Sequence, residues 1–398
     1  MWQEVKNIYH LVQSISANVI YGLPSRGMLI IGVTGTDGKT TTSSMIYHIL
    51  RAAGLKTALI STVGAYIDGK TYDTGFHVTT PGSLQLQSYI QKAKQAGVKY
   101  LIIETTSIGL HQNRIFGIPF NIAVLTNITN EHLDYHKTYE GYVKAKVKLF
   151  QKAKTVIINA DDRSFKYISP YIQNKKIITY SMKVDGDITP HSFPFKTNMI
   201  GEFNKYNCLA AIAVAKELDV KDQVITKALD TFIPPVGREE IVYDKDFKVI
   251  IDFAHTPGSF EAILSAMEIM KKGRLIHVFG CAGQRDKYKR PEMGRISATY
   301  ADIIVLTAED PRTEKVESIN SEIEKGIDIA LFNKKNLLKI PSRGEAIAEA
   351  IELAKPGDIV LTTGKSHEPS MNYGQGEEPW SEHDAVKEAI RIKFNSKV

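Results

Sequence analysis

Apolar positions in this chain form short unbroken runs that alternate with longer segments of helical spacing. The runs at 28–33, 56–61, 99–103, 122–126 and 155–159 have the length of buried strands. Between them, segments near 40–53, 82–96 and 139–152 carry apolar residues on one helical face. Strand and helix in alternation predict a parallel sheet with helices on both faces. Ahead of the first strand, Val5, Ile8, Leu11, Val12 and Ile15 predict a short amphipathic helix within 2–18. Helical patterns at 205–218 and 221–231 give way to Ile233-Pro-Pro-Val-Gly237, the best linker in the chain. A second alternating set follows, with strands at 248–252, 274–280, 302–307 and 357–362 and helices at 257–271, 343–354 and 382–393. The pattern therefore predicts two α/β domains that meet near 236–240, with no internal repeat and only a mildly polar stretch at 183–198.

Composition narrows this picture without changing it. A chain of 398 residues exceeds the ~250–300 at which one core usually splits. The net charge of +6 is mild and suits anionic substrates, and no basic run or aromatic-interleaved stripe points to nucleic acid. Cys208 and Cys281 lie far apart without metal-ligand spacing, which fits a reducing compartment. The N-terminus has no apolar signal region, and no stretch reaches the apolar length of a membrane span. The expectation is a cytoplasmic enzyme, monomeric, without nucleic-acid partner or membrane insertion.

Chemistry first shows at residues 32–42, Gly-Val-Thr-Gly-Thr-Asp-Gly-Lys-Thr-Thr-Thr, between the first strand and a helix. This order suits a triphosphate: backbone N–H groups cradle phosphates at a helix N-terminus, Lys39 reaches the β/γ oxygens, and Thr40 can ligate Mg²⁺. Val33 stands where the usual P-loop pattern has its first glycine, and Gly35 shortens the core. The plain alternative is a glycine-rich turn without ligand. Glu104 ends the run 99–103; it is either a metal ligand in the crevice or a solvated strand end. His132 alone is a common surface histidine, and Lys146, inside Lys144-Ala-Lys-Val-Lys148, alone is the solvated face of a helix.

Taken in order, these pieces resemble the Mur ligase family, most closely its MurE-type branch. The resemblance rests on Gly35-Thr-Asp-Gly-Lys-Thr40, Thr79-Thr-Pro81, Glu104-Thr-Thr-Ser-Ile-Gly-Leu110, Thr126-Asn127 through His132 to His136, and Tyr142-Val-Lys-Ala-Lys146. It continues through Gly201-Glu-Phe-Asn204-Lys-Tyr-Asn207, Gly237-Arg238-Glu239, Asp252-Phe-Ala-His255-Thr-Pro257, Gly280 to Asp286, Lys289-Arg-Pro291, Asp310-Pro-Arg312 and Gly364-Lys-Ser-His-Glu368. Departures include Asp37 for Asn, Ile108 for His, Glu131 for Asp, Ala282 for Gly, Gln284 for Asp, Glu309 for Asp and Ser366 for Gly. The resemblance implies a P-loop ATPase central domain at 29–238 with a mainly parallel sheet, then a Rossmann-like C-terminal α/β domain at 239–398. Only the helical segment 1–28 precedes them, so the family's separate UDP-gripping domain is expected to be missing.

The activity implied is ATP-dependent ligation of an acid to an amino acid through an acyl phosphate, in peptidoglycan biosynthesis. ATP would lie on Gly35, Thr36, Asp37, Gly38, Lys39, Thr40, Thr41, Asn127, Asn204 and Asn207, with Arg238, Asp252 and His255 reaching it after closure. Asn204 and Asn207 also read as a plain helix cap, and His255 as structural. By resemblance Thr40 and Glu104 hold one Mg²⁺, His132 helps hold a second, and Lys146 is carbamylated. Thr79, Thr80 and Arg114 would take a muramoyl-peptide acid. Arg285, Asp310, Arg312, Gly364 and Glu368 would take the amino acid, an arginine fork for a carboxylate and a glutamate for an ammonium. That pair of charges fits meso-diaminopimelate better than lysine. Arg312 is otherwise a salt-bridge partner of Glu309 or Glu314. Rival readings are a MurT-like or poly-γ-glutamate-type ligase on a non-UDP acceptor, and a catalytically silent nucleotide-binding regulator.

Overall fold

The computed structural model describes residues 2–75, 79–129 and 131–395. The chain forms two compact units, Met1–Met199 with Phe203–Ile233, and Ile200–Glu202 with Pro234–Val398. The division falls inside the proline-rich stretch, ahead of the 238/239 division expected from sequence, so Arg238 lies in the second unit. Segment 1–28 is part of the first unit, and its helix, Trp2–Ile20, packs on the helix Ser83–Gln95.

The first unit is built on an eight-stranded sheet. Its order is Lys70–Tyr72, Gly64–Ile67, Thr57–Ser61, Tyr100–Glu104, Leu29–Thr34, Ile122–Leu125, Thr155–Asn159, Lys176–Tyr180. The six strands from Thr57–Ser61 onward run parallel, and the first two are antiparallel additions at one edge. The apolar runs are continuous because both faces are buried. Ile30, Leu101, Ile103, Ala123 and Val156 enter one core, and their neighbours Ile31, Ile102, Val124 and Ile157 enter the other. Connections leave in opposite directions from Leu29–Thr34 and its neighbour Ile122–Leu125, and in such sheets ligands bind outside the strand ends at that reversal.

The second unit carries a six-stranded sheet ordered Leu337–Lys339, Ile303–Leu306, Leu275–Phe279, Ile359–Thr363, Lys248–Asp252, Glu240–Asp244. Only the last pairing is antiparallel. Val249, Ile251, Val278, Val305 and Val360 meet the helices Arg343–Leu353 and Glu382–Asn395 in a core of their own. Both units are α/β with mainly parallel sheets, as the pattern predicts. The pattern missed the short strands Gly64–Ile67, Lys70–Tyr72, Lys176–Tyr180, Glu240–Asp244 and Leu337–Lys339, and the helices Lys289–Tyr300 and Val316–Glu324.

Candidate functional site

In the first unit, strand Leu29–Thr34 runs into the loop 35–38, and helix Lys39–Ala52 begins directly after it. Gly38 adopts a left-handed φ of 79°, and a Cβ there would lie 2.4 Å from Asn207 Oδ1. At Gly35 an added Cβ would lie 1.7 Å from Thr126 Oγ1, so only glycine permits this approach. The next strand end pins the loop from outside. Thr126 Oγ1 and Asn127 Nδ2 donate to Asp37 O at 2.7 and 3.1 Å, Asn127 Oδ1 accepts from Asp37 N at 3.0 Å, and Thr36 N donates to Asn127 O at 2.8 Å. Asn127 thus supports the loop through its backbone rather than facing outward alone. Asn207 accepts from Thr42 Oγ1 at 3.1 Å and donates to Asn204 Oδ1 at 2.9 Å, which ties the helix Glu202–Glu217 to the start of the P-loop helix. Lys39 Nζ donates to Thr36 O at 2.6 Å, and Thr40 and Thr41 are buried.

Glu104 is 1 % exposed, which removes the solvated strand-end reading. Its carboxylate accepts from Thr40 Oγ1, Thr62 N and Thr62 Oγ1, each at 3.0 Å. Thr62 was overlooked in the sequence, although it follows strand Thr57–Ser61 at the same sheet end; its hydroxyl also reaches Thr79 Oγ1 at 3.0 Å. Thr80 is buried, bonded to Thr106, and its carbonyl accepts from Arg114 Nη1 at 2.8 Å. Burial draws the Arg114 guanidinium below its usual range.

Lys146 contradicts the solvated-face reading: it is 1 % exposed while Lys144 is exposed. Its Nζ donates to Gly35 O at 2.6 Å and lies 4.5 Å from the Tyr142 ring centroid. Desolvation, aided by the nearby charge of Lys39, holds the Lys146 amine well below the usual lysine range. His132 takes a left-handed φ of 56° and stacks edge-on with Tyr142 at 6.1 Å. His136, missed as a site residue, bonds Ser107 Oγ at 3.0 Å, and burial lowers its imidazole to about 4.

In the second unit the remaining residues gather at the carboxyl ends of the parallel strands. Asp252 ends one strand, and its carboxylate accepts from Glu239 N at 2.8 Å and Ala254 N at 2.7 Å. Arg238 stacks over the Phe253 ring at 4.4 Å. His255 Nδ1 lies 2.9 Å from Phe253 O, and its own carbonyl accepts from Lys289, so it orders this loop.

The amino-acid candidates surround a residue that sequence reading quoted but did not select. Lys365, fully buried, bridges Asp310 at 2.9 Å and Glu368 at 2.8 Å. Glu368 therefore already answers an internal ammonium, where the sequence reading kept it for a ligand amine. Glu309 is packed so closely under Gly364 that a Cβ there would lie 2.3 Å from Glu309 Oε2. That oxygen has no hydrogen-bond partner among the described residues, and burial pushes the carboxyl up to about 8. Arg312 has its guanidinium against the carbonyl of Gly283, and burial with the neighbouring Arg285 charge lowers it. Glu314 is taken by Arg290 and Lys287, so the Arg312–Glu314 pair does not form. Asp310, Arg312 and Ser366 all hold left-handed backbone, a concentration typical of functional loops. Arg343, fully buried, fixes the two loops by donating to Ala308 O and Thr363 O while paired to Glu382 at 2.6 Å.

A glycine loop opening a helix at a sheet reversal, with a buried carboxylate on its threonine, defines a P-loop nucleotide-binding unit. The second unit is Rossmann-like, with charged loops at the carboxyl ends of its parallel strands. The chain belongs to the Mur ligase family, ATP-driven ligases that form amide bonds. Residues 33–215 match the Mur ligase middle domain and residues 237–366 the Mur ligase glutamate ligase domain. It is 36% identical over 395 residues to UDP-N-acetylmuramoyl-L-alanyl-D-glutamate–2,6-diaminopimelate ligase 1 of Clostridium acetobutylicum, covering 94% of this chain and 80% of that protein. The Aquifex aeolicus ligase of the same name without the numeral is 38% identical over 393 residues, with the same coverage of 94% and 80%. Among solved structures, a UDP-N-acetylmuramoyl-L-alanyl-D-glutamate–2,6-diaminopimelate ligase aligns with TM-score 0.63 and 29% identity over 98% of this chain and 83% of that one. A folylpolyglutamate synthase of Mycobacterium tuberculosis shares the fold with TM-score 0.71 at 16% identity, covering 89% of this chain and 92% of that one. No described helix is long and apolar enough to cross a membrane.

Proposed function

We propose that this chain joins meso-diaminopimelate to UDP-N-acetylmuramoyl-L-alanyl-D-glutamate, using ATP. Two observations carry the reading: in the first unit a P-loop whose Thr40 is bonded to Glu104, and in the second unit a group of loops that carries guanidinium and carboxylate side chains together. A substrate carboxylate attacks the γ-phosphorus of ATP, giving an acyl phosphate and ADP. The amino-acid amine then attacks the acyl carbon, and the tetrahedral intermediate expels phosphate. The loop N–H groups and Lys39 hold the phosphates, an arrangement that works by position and charge. Lys39 must leave Thr36 O to do so.

Thr40 and Glu104 are the residues that would hold Mg²⁺. Among the described residues no three His, Cys, Asp or Glu side chains gather as a metal site. A hydroxyl and one carboxylate completed by substrate phosphates suit Mg²⁺, which dehydrates reluctantly and uses few protein ligands. When bound, the ion would neutralise phosphate charge; His132 would serve a second ion.

Lys146 carbamylation belongs to the same proposal. A neutral amine adds to CO₂ and releases a proton, giving an N-carboxylate. Burial disfavours the ammonium at Lys146, and the Lys39 charge that adds to this favours the resulting anion. Arg312 with Arg285 would take the distal carboxylate of the amino acid. Their mutual repulsion is relieved by an anion between them, and lysine lacks that carboxylate.

The test is phosphate release and product mass with ATP, Mg²⁺, the UDP-muramoyl dipeptide and a panel of amino acids. Acceptor-dependent turnover with meso-diaminopimelate, exceeding that with lysine, is expected. No acceptor-dependent ADP, or a preference for lysine, would remove the assignment.

A further inference from the structure

The segment after Glu104 carries an imidazole that the ligation scheme above leaves unused. His111 ends the short helix Ser107–His111, three residues before Arg114, and is half-buried. Its ring stands edge-on to Tyr135 at 5.5 Å and to His136 at 5.8 Å. Its Nδ1 lies 3.1 Å from the Tyr135 hydroxyl oxygen. Among the described residues its Nε2 has no hydrogen-bond partner, and that atom is not sealed from solvent.

The hydrogens at the Tyr135 hydroxyl can be counted. Gln3 Nε2 donates to that oxygen at 2.8 Å and to Asn7 Oδ1 at 3.1 Å, so this amide brings hydrogen rather than a lone pair. The Gln112 amide also acts on it as a donor, since Gln112 Oε1 already accepts from Arg114 Nε at 2.9 Å. A tyrosine hydroxyl has one hydrogen to give. Among the described residues, His111 Nδ1 is the acceptor left for it. Nδ1 therefore accepts, and in the neutral ring the hydrogen sits on Nε2, an assignment fixed by the network. Burial and the Lys148 charge draw His111 below the usual histidine range, which favours the neutral ring.

The surroundings of that outward N–H are cationic. Arg114 lies close enough for its charge to act on the Tyr135 hydroxyl, and Lys148 Nζ is 3.4 Å from His111 O. Among the described residues no carboxylate acts on His111, Arg114 or Lys148. The backbone here is held by the first helix. Ser14 Oγ donates to Asn113 O at 2.8 Å and meets Ser83 Oγ at 2.6 Å, while Asn18 Nδ2 donates to Phe116 O at 2.8 Å. Helix Trp2–Ile20 thus grips the segments on both sides, one leading from Thr80 and one carrying Arg114.

We infer that His111 is a further binding residue for the acid substrate, its Nε2–H donating to an anionic oxygen of that substrate beside Arg114. Tyr135 and Gln3 are positioning residues, which keep the hydrogen on Nε2. The inference rests on the reading of Thr79, Thr80 and Arg114 as the acid-substrate residues.

Initial rates with the UDP-muramoyl dipeptide, ATP and meso-diaminopimelate test it, read as separate KM values. His111→Asn keeps a polar atom near the Nδ1 position and removes the distal donor, whereas His111→Gln returns an N–H near the Nε2 position. His111→Asn should raise the KM for the acid by about tenfold or more, the loss expected for one hydrogen bond to a charged group. The KM for ATP and the melting temperature should hold, and His111→Gln should recover most of the loss. Ring-nitrogen spectra of isotope-labelled histidine, assigned against His111→Asn, read the tautomer without turnover. Wild type should carry the hydrogen on Nε2, and Tyr135→Phe should give a mixture with Nδ1–H. Hydrogen on Nδ1 in wild type, an unchanged acid KM in His111→Asn, or no recovery in His111→Gln overturns the inference while the proposed function stands. A wild type that releases no ADP in response to the acid removes both.

Discussion

At the residue scale, burial decides protonation, and it acts in opposite senses at two positions. Burial draws the Lys146 amine well below the usual lysine range and raises the Glu309 carboxyl to about 8, since desolvation penalises whichever form is charged. The residue types were legible in the sequence; their charge states were not, because burial is set by segments distant in the chain. Glu309 makes stability depend on pH. Its folded value of about 8 lies above the ordinary 4.5, so the folded state holds a proton that the unfolded chain has released between those limits. Stability should therefore fall as pH rises from 4.5 toward 8, by at most about 1.4 kcal/mol per pH unit. Glu309→Gln should flatten that slope in thermal melts; an unchanged slope would mean that Glu309 ionises normally. Glu104→Gln should lower turnover by about 10²–10³, the usual loss for one positioned electrostatic group. Lys146→Ala should be inactive in phosphate-release assays and partly rescued by short carboxylates, and absence of rescue counts against the carbamate.

At the element scale, the P-loop and the charged loops of the second unit are held by braces from other elements. Continuous apolar runs revealed the central strands, and Gly-Lys-Thr revealed the loop. Thr126 and Asn207 stood out only through the family resemblance, and Arg343 not at all, because each braces its loop through a contact distant in sequence. Short edge strands such as Lys70–Tyr72 escaped because half-exposed strands lack an apolar run. Gly35→Ala places a methyl group against Thr126 Oγ1 and should displace the loop, so nucleotide affinity should drop with little change in melting temperature. Isothermal titration with ATP measures this, and wild-type affinity would show that the loop tolerates a Cβ. Arg343→Met should be far more disruptive. It strands the Glu382 carboxylate, which is fully buried, and frees the carbonyls of Ala308 and Thr363. Removing one partner of a buried pair costs about 3–5 kcal/mol. Urea denaturation should show that loss, and Arg343→Met with Glu382→Leu should recover part of it.

At the scale of the whole molecule, two separate cores were legible because the apolar pattern restarts after Pro234 and Pro235. What the pattern could not show is how each unit divides its charges between its own structure and a ligand. Glu104 is bonded to Thr40 and Thr62, and Lys365 is paired with Asp310 and Glu368, so each of these charges already has partners within its own unit. With no three-ligand group among the described residues, free Mg²⁺ has little to bind until nucleotide phosphates complete its shell. Chelator alone should therefore leave the melting temperature unchanged. ATP should raise it modestly through the loop amides, and ATP with Mg²⁺ should raise it further, because a ligand that binds only the folded state stabilises by RT ln(1 + [L]/Kd). At a hundredfold excess over Kd that is about 2.7 kcal/mol. Calorimetry with and without chelator separates the cases. A large loss of stability on chelation in the absence of nucleotide would mean that the protein carries a structural metal, contrary to the division of charges seen here. Equal stabilisation by ATP with and without Mg²⁺ would instead remove Thr40 and Glu104 as the ion's ligands.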